Sequence, residues 1–496
     1  MSEATATSLI RQYALYAGSN VLILAAGLVS FPITTRLLSS AEFGLLSYWE
    51  SVVLVLVAVV KLGASDGAVR FYPHRGDAAA LTAYTTNILL TPALLGLLLW
   101  AGVIAVALAV GLAGGLEHPA VALLALAQVL PVALGTLAFR ILQAREQASV
   151  NAVLSVVWRW LTLAGTLGVL VWVLPAAAGV LAAKLAVHLL VIGGLLAWMW
   201  PSLPGSRAAF DRSQVWQGLQ YGLPLALMEL SNIALWFVDR FMMKWLINDF
   251  SVIGLYSIGF ALASYIDQLI NTALSQALTP VTTRVFATDG PAAVRAVKQR
   301  VLRPLVYICA ALATGLLLVG PDFLTLLASA DKAGAAPVFV VVGVFFLIKP
   351  IVWTAAEGLL LHKRSKTVFV LTLVAALGNT LANLLLLPRY GMMGAAWATG
   401  LSLVGLQLLF LAACPRELRA WPPLSVLLTA GAGLSLCLLV AHHTALFGLV
   451  QHLPRLAGAT VLVGVVFGAI LGLDPEMRAI GQGVRHRLQQ RRQAAS

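Results

Sequence analysis

Fourteen runs of roughly 20 apolar residues dominate this chain. Each is long enough to cross a hydrocarbon core of ~30 Å at 1.5 Å per residue. Their approximate limits are 13–35, 43–64, 84–112, 119–139, 150–173, 177–200, 219–247, 252–280, 304–327, 335–361, 367–388, 392–413, 423–449 and 454–473. In lipid every backbone N–H and C=O must be paired within the protein, which runs of this length achieve only as helices. The runs therefore predict an all-α polytopic membrane protein with about 14 transmembrane helices. Composition agrees: 60% of the 496 residues are hydrophobic and 10% charged, against about 25% charged in soluble domains. The first residues, MSEATATSLIRQY, lead into a full-length apolar span with no small-residue cleavage site, so the expected product is uncleaved.

The net charge of +13 is distributed as a membrane protein distributes it. With the N-terminus placed inside, the cytoplasmic segments hold 22 Lys and Arg, and the opposite loops hold Arg36, Lys332, Arg389 and Arg455. That bias predicts two cytoplasmic termini and removes nucleic acid as a partner. The tail RHRLQQRRQAAS then meets anionic lipid or simply fixes topology. Cys309, Cys414 and Cys437 lie in or beside spans without CxxC spacing, which predicts packing residues and no metal site.

Six basic residues remain inside spans: Lys61, Arg159, Lys184, Arg240, Lys244 and Lys349. A charge near mid-membrane costs at least ~2.5–3.5 kcal/mol, so each must face water, a ligand or a partner. In the seventh span Glu229, Ile233, Trp236, Arg240 and Lys244 repeat at helical spacing and form one stripe. The second span aligns Glu50, Leu54, Val57 and Lys61. Glu50 and Lys61 are eleven residues apart, about 16 Å along a helix, so their partners come from elsewhere. The fifth span carries Asn151, Ser155, Arg159 and Thr162 on one stripe, and the sixth places Lys184 and His188 four apart. The tenth aligns Lys349, Trp353 and Glu357, and the eighth holds Asp267.

Together with Arg36 these cations predict an anion-binding interior, since guanidinium grips phosphate bidentately and Lys adds point charge. Trp236 and Trp353 are candidates to stack on sugar rings. The carboxylates Glu50, Glu229, Asp267 and Glu357 either neutralise the cations or carry a coupled proton or sodium ion; both readings stay open. P-loop, GxSxG, HExxH and dinucleotide-binding fingerprints are missing, which predicts a transporter without catalytic residues or cofactor.

The segment 201–217, PSLPGSRAAFDRSQVWQ, reads as a cytoplasmic linker. Around it the halves repeat in order: Arg36 with Arg240, Arg70 with Arg284, Pro131 with Pro350, Arg145 with Lys363 and Gly179 with Gly394. The expected organisation is an N-lobe at 1–200, a C-lobe at 218–415 in parallel repeat, two further helices at 416–473 and a basic cytoplasmic tail at 474–496. The loop DGPAAVRAVKQRVLRP before the ninth span is basic and amphipathic, and is expected to lie along the inner membrane surface.

Three segments carry a family resemblance: SNxxxxxxGxxxFPIxTRLLSxxEFG at 19–44, the Asp239–Arg240 pair followed by GLYSIG, and NLLLLPRYGMMGAAWAT at 383–399. They resemble O-antigen and exopolysaccharide flippases, the Wzx-like members of the multidrug/oligosaccharidyl-lipid/polysaccharide exporter superfamily. The resemblance implies two six-helix lobes that alternate between inward-open and outward-open states in the bacterial inner membrane. It implies an undecaprenyl-pyrophosphate-linked glycan as substrate, with polysaccharide polymerases as possible assembly partners. Arg36, Arg159, Arg240 and Lys349 are the residues it places on the pyrophosphate. A lipid II flippase and a cation-coupled multidrug antiporter are the alternatives within the superfamily, and a scaffold for a polysaccharide synthase the alternative outside transport.

Overall fold

The computed structural model describes residues 3–73, 77–359, 361–362, 364–444, 452–479, 482 and 489, with side chains from Gly18 onward. His74, Arg75, Lys363 and all of the tail RHRLQQRRQAAS but Gln489 lie outside the described residues. Among the described residues fourteen helices are long and apolar enough to cross a membrane. They are α1 (Glu3–Leu37), α2 (Ser40–Lys61), α3 (Ala78–Leu112), α4 (Pro119–Ala144), α5 (Ala148–Trp172), α6 (Ala177–Ser202) and α7 (Arg212–Leu246). Then follow α8 (Phe250–Thr288), α9 (Gly290–Ala328), α10 (Ala330–Ala356), α11 (Ser365–Tyr390), α12 (Met392–Ala413), α13 (Leu424–His443) and α14 (His452–Leu473). Among the described residues there is no strand. The chain is a polytopic all-α membrane protein.

Two boundaries differ from expectation for a local reason. Asp211 caps α7 by accepting from Ser213 N at 2.8 Å, so the helix begins inside the expected linker. What remains of the linker is tied down: Asn87 donates to Ala209 O at 2.9 Å and to Gln214 at 3.2 Å, and accepts from Asp211 N at 2.9 Å. The basic segment before the ninth span does not lie apart from it. It forms the first turns of α9, because Lys298 is fully buried and its ammonium reaches three main-chain carbonyls. These are Ala355 O at 3.0 Å, Glu357 O at 2.6 Å and Leu418 O at 2.7 Å.

Helix contacts define two compact units, Met1–Ser257 and Ile258–Ser496. In the first, α1 packs on α5, α4 packs on α2 and α6, and α7 packs on α2. The α2–α7 approach depends on glycine. Gly63 has φ 72°, and a Cβ there would lie 2.1 Å from Gly222 O. The EFG motif is structural: Glu42 accepts from Ala177 N at 2.6 Å at the start of α6, where a carboxylate also meets the positive end of the helix dipole. A Cβ on Gly44 would overlap Phe250 O, so only glycine allows that crossing.

In the second unit α9 is the hub, packing on α10, α13 and α14. The last two helices are held by an apolar cluster of Leu318, Val319, Cys437, Ala441, Ala459 and Phe467. Asp322 receives Arg455 at 3.2 Å and His452 at 2.6 Å at one end. At the other, Asp474 receives Arg303 at 3.4 Å and Tyr307 at 2.9 Å.

Candidate functional site

Two apolar clusters close the ends of the first unit. One joins Leu45, Leu46, Val121, Leu170 and Val180; the other joins Tyr84, Leu89, Ile141, Leu142 and Met199. The helices leave a cleft of ≈ 460 Å3, mostly apolar with a few polar and charged side chains in its wall, within the range of small-molecule sites. Its wall comes from α1, α2, α4, α5 and α6: Ile23, Glu50, Val53, Leu54, Gln128, Val132, Phe139, Ser155, Trp158, Arg159, Thr162, Leu181, Lys184 and His188. The sequence stripes on α2, α5 and α6 thus converge on one cavity.

Within it Lys184 pairs with Glu50, whose side chain is 40% exposed. Ser155 donates to Asn151 O at 2.8 Å and Thr162 to Trp158 O at 2.7 Å, so both hydroxyls keep acceptor lone pairs for a ligand. Arg159 is exposed, and among the described residues it has no hydrogen-bond or ion-pair partner. An unpaired guanidinium at mid-span is costly in lipid and useful only toward water or an anion. Trp158 Nε1 and His188 Nδ1 are buried without a partner among the described residues, each at a cost of about 1–3 kcal/mol. The two rings meet edge to face, with centroids 5.4 Å apart.

A second hollow of ≈ 360 Å3 lies toward the α4–α5 turn, lined by Thr136, Phe139, Arg140, Gln143, Asn151 and Trp158. Phe139 and Trp158 are stacked, 5.5 Å between centroids and 6° between planes, and line both spaces.

The α7 stripe divides among separate partners. Glu229 receives Lys61 at 2.7 Å from α2. Arg240 is 4% exposed and committed to Asp239 of its own helix at 2.8 Å, to Trp236 O at 3.1 Å and to Ser47 at 3.3 Å. Lys244 reaches Glu117 in the α3–α4 loop at 2.5 Å and lies 4.5 Å from the Phe250 ring. That contact holds the Glu117 carboxyl below the ordinary carboxylate range. Trp236 and Trp353 are half-buried, and Arg36 lies exposed at the end of α1, outside the cleft. The rings over Arg240 are Phe237 and Tyr256.

The remaining candidates lie in the second unit. Lys349 binds both oxygens of Asp267 at 3.0 Å. Glu357 stands just past the end of α10, where it accepts from Thr282 at 3.0 Å. Sequence reasoning did not single out Glu117, Phe139, Trp158 or Lys298. Lys298 alone carried a signal, a cation on the apolar side of an amphipathic segment.

Fold and interior together define a multi-pass membrane protein of the architecture shared by lipid flippases and multidrug exporters. Residues 9–286 match the polysaccharide biosynthesis protein family, and the chain belongs to that family. Part of it, 36% of this chain, is 29% identical to a probable flippase, AglR, of Haloferax volcanii, of which the match spans 37%. The fold is similar to that of the lipid II flippase MurJ, solved in an inward closed conformation, with TM-score 0.73 at 14% identity over 92% of this chain and 98% of that one. An inward-facing multidrug resistance MATE family transporter of the MOP superfamily matches with TM-score 0.59 at 15% identity, over 81% of this chain and 93% of that one.

Proposed function

We propose that the protein is a flippase-type transporter, not an enzyme, which moves an undecaprenyl-pyrophosphate-linked oligosaccharide from the inner to the outer leaflet of the bacterial cytoplasmic membrane for surface polysaccharide synthesis. The observation that carries this reading is Arg159: a guanidinium without a partner among the described residues, lining the same cleft as Lys184, whose counter-ion is exposed. Pyrophosphate is the ligand such a pair suits, by bidentate contact to Arg and displacement of Glu50 from Lys184. Arg36, Lys61, Arg240, Lys244 and Lys349 are secondary candidates, because four of the five already hold a carboxylate.

The lobes of this reading are 1–200 and 218–415, with both termini cytoplasmic by the Lys/Arg bias. A negative interior then favours outward movement of the anionic head by ~2.3 kcal/mol per charge per 100 mV. Lipid II, which the MurJ likeness brings forward, has the same prenyl pyrophosphate and differs in its sugars and peptide.

The test is reconstitution in proteoliposomes with labelled undecaprenyl-pyrophosphate oligosaccharide and, separately, lipid II, with and without an imposed potential. Arg159→Gln is expected to reduce flipping at least about tenfold, the equivalent of losing one charge-assisted contact, with unchanged thermal stability. Movement of lipid II alone would shift the substrate within the same chemistry. Export of cationic dyes on a proton or sodium gradient, with no lipid movement, would replace the reading by a drug antiporter.

A further inference from the structure

We infer that the Phe139–Trp158 ring pair and the hollow behind it form a sugar-reading subsite, which contacts the residue joined to the pyrophosphate. This rests on the transport reading above and deepens it. Asn151, Ser155 and Arg159 are spaced by four on α5, so they form one stripe. Arg159 and Ser155 belong to the first cavity and Asn151 to the second. Eight residues of helix separate the ends by about 12 Å, the reach of a pyrophosphate and the sugar esterified to it. A head group with its phosphates on Arg159 therefore lays that sugar along the shared aromatic wall.

The lining of the second hollow has the chemistry sugars require. Thr136 supplies a hydroxyl, Asn151 and Gln143 supply amides, and Arg140 a guanidinium. Much of this capacity is unspent. Asn151 uses one amide hydrogen on Phe139 O at 3.1 Å, while Arg140 donates to Gln143 at 3.0 Å and pairs with Asp66 at 3.6 Å. The rings offer flat π surfaces, negative at the face, against which the C–H side of a pyranose packs. The hydroxyl and the two amides are neutral groups that match sugar hydroxyls, and a lipid tail would leave them unpaired. Trp158 also brings an indole N–H with no acceptor among the described residues. A sugar hydroxyl supplies one after a small ring movement.

Equilibrium binding to the full-length protein in nanodiscs separates the subsite from its parent reading. The probes are farnesyl pyrophosphate, and farnesyl pyrophosphate carrying glucose, galactose or N-acetylglucosamine. The wild type is expected to hold at least one glycosylated probe about tenfold tighter than the bare one, the order of an aromatic contact plus a hydrogen bond. Asn151→Ala is expected to erase that difference while bare-probe affinity stays constant, and Trp158→Leu to weaken the glycosylated probes more than the bare one. Trp158→Phe, which keeps a ring, should retain part of the difference. Arg159→Gln should weaken every probe. Equal affinity of the wild type for bare and glycosylated probes, or equal loss of both in Trp158→Leu and Asn151→Ala, would overturn the subsite and leave the pyrophosphate site standing. Failure of the wild type to bind any probe would overturn both.

Discussion

Apart from the buried Arg240–Asp239 pair of the first unit, charges embedded in apolar helices take opposite forms in the two units. In the first, Lys61 and Lys184 are matched by Glu229 and Glu50, each 40% exposed, and Arg159 has no partner among the described residues. In the second, the Lys349–Asp267 side chains are 14% and 11% exposed, and Lys298 is sealed among three carbonyls. The same signature, a cation in a hydrophobic run, thus marks a ligand-accessible wall in one place and an internal tie in the other. For Glu50, Lys184 and Arg159 neighbouring volume makes the difference, because all three line the cleft of the first unit. An exposed counter-ion can be exchanged for a ligand; a buried one cannot be removed without leaving an unpaired charge.

That contrast is open to direct attack. The largest effect is expected from Lys349→Ala, which strands Asp267 at 8% exposure and should cost about 3–5 kcal/mol. It would be read as lost yield and a lower melting temperature in detergent, recovered by Lys349→Leu with Asp267→Leu. Next is Lys298→Met, which takes a donor from three carbonyls and should cost about 3 kcal/mol, given ~1–3 for each buried unsatisfied group; thermal unfolding measures it. In the first unit Lys61→Met should cost only about 1 kcal/mol, because Glu229 can reach water. A loss equal to that of Lys349→Ala would break the comparison.

The smallest effect concerns Glu117, whose pKa is depressed chiefly by its hydrogen bond with Lys244. A depressed carboxylate contributes stability above its unfolded pKa and loses it as pH falls through the folded value. Melting temperature should therefore decline slightly more steeply in the wild type than in Glu117→Gln as pH is lowered from 7 to 3.5. Parallel curves would remove Lys244–Glu117 from the set of working ion pairs.

Much of this protein is decided by its linear order of residues. Fourteen apolar runs dictate fourteen helices because hydrocarbon leaves the backbone no other option over such lengths. The period of 3.6 likewise places Asn151, Ser155, Arg159 and Thr162 on one side of α5, and requires that Glu50 and Lys61 find different partners, as they do in Lys184 and Glu229. Periodicity says which residues share a face, but not what the face meets. Only tertiary packing sends the α7 stripe to separate partners, Glu229 to Lys61 of α2 and Lys244 to a loop glutamate. Only packing folds Lys298 inward, where an expected surface segment becomes the start of α9. Phe139 and Trp158 belong to different helices and look like ordinary apolar residues until α4 and α5 bring their rings together. Helix formation follows from local chemistry along the chain. A cavity is a volume shared by five helices, and no one of them encodes it.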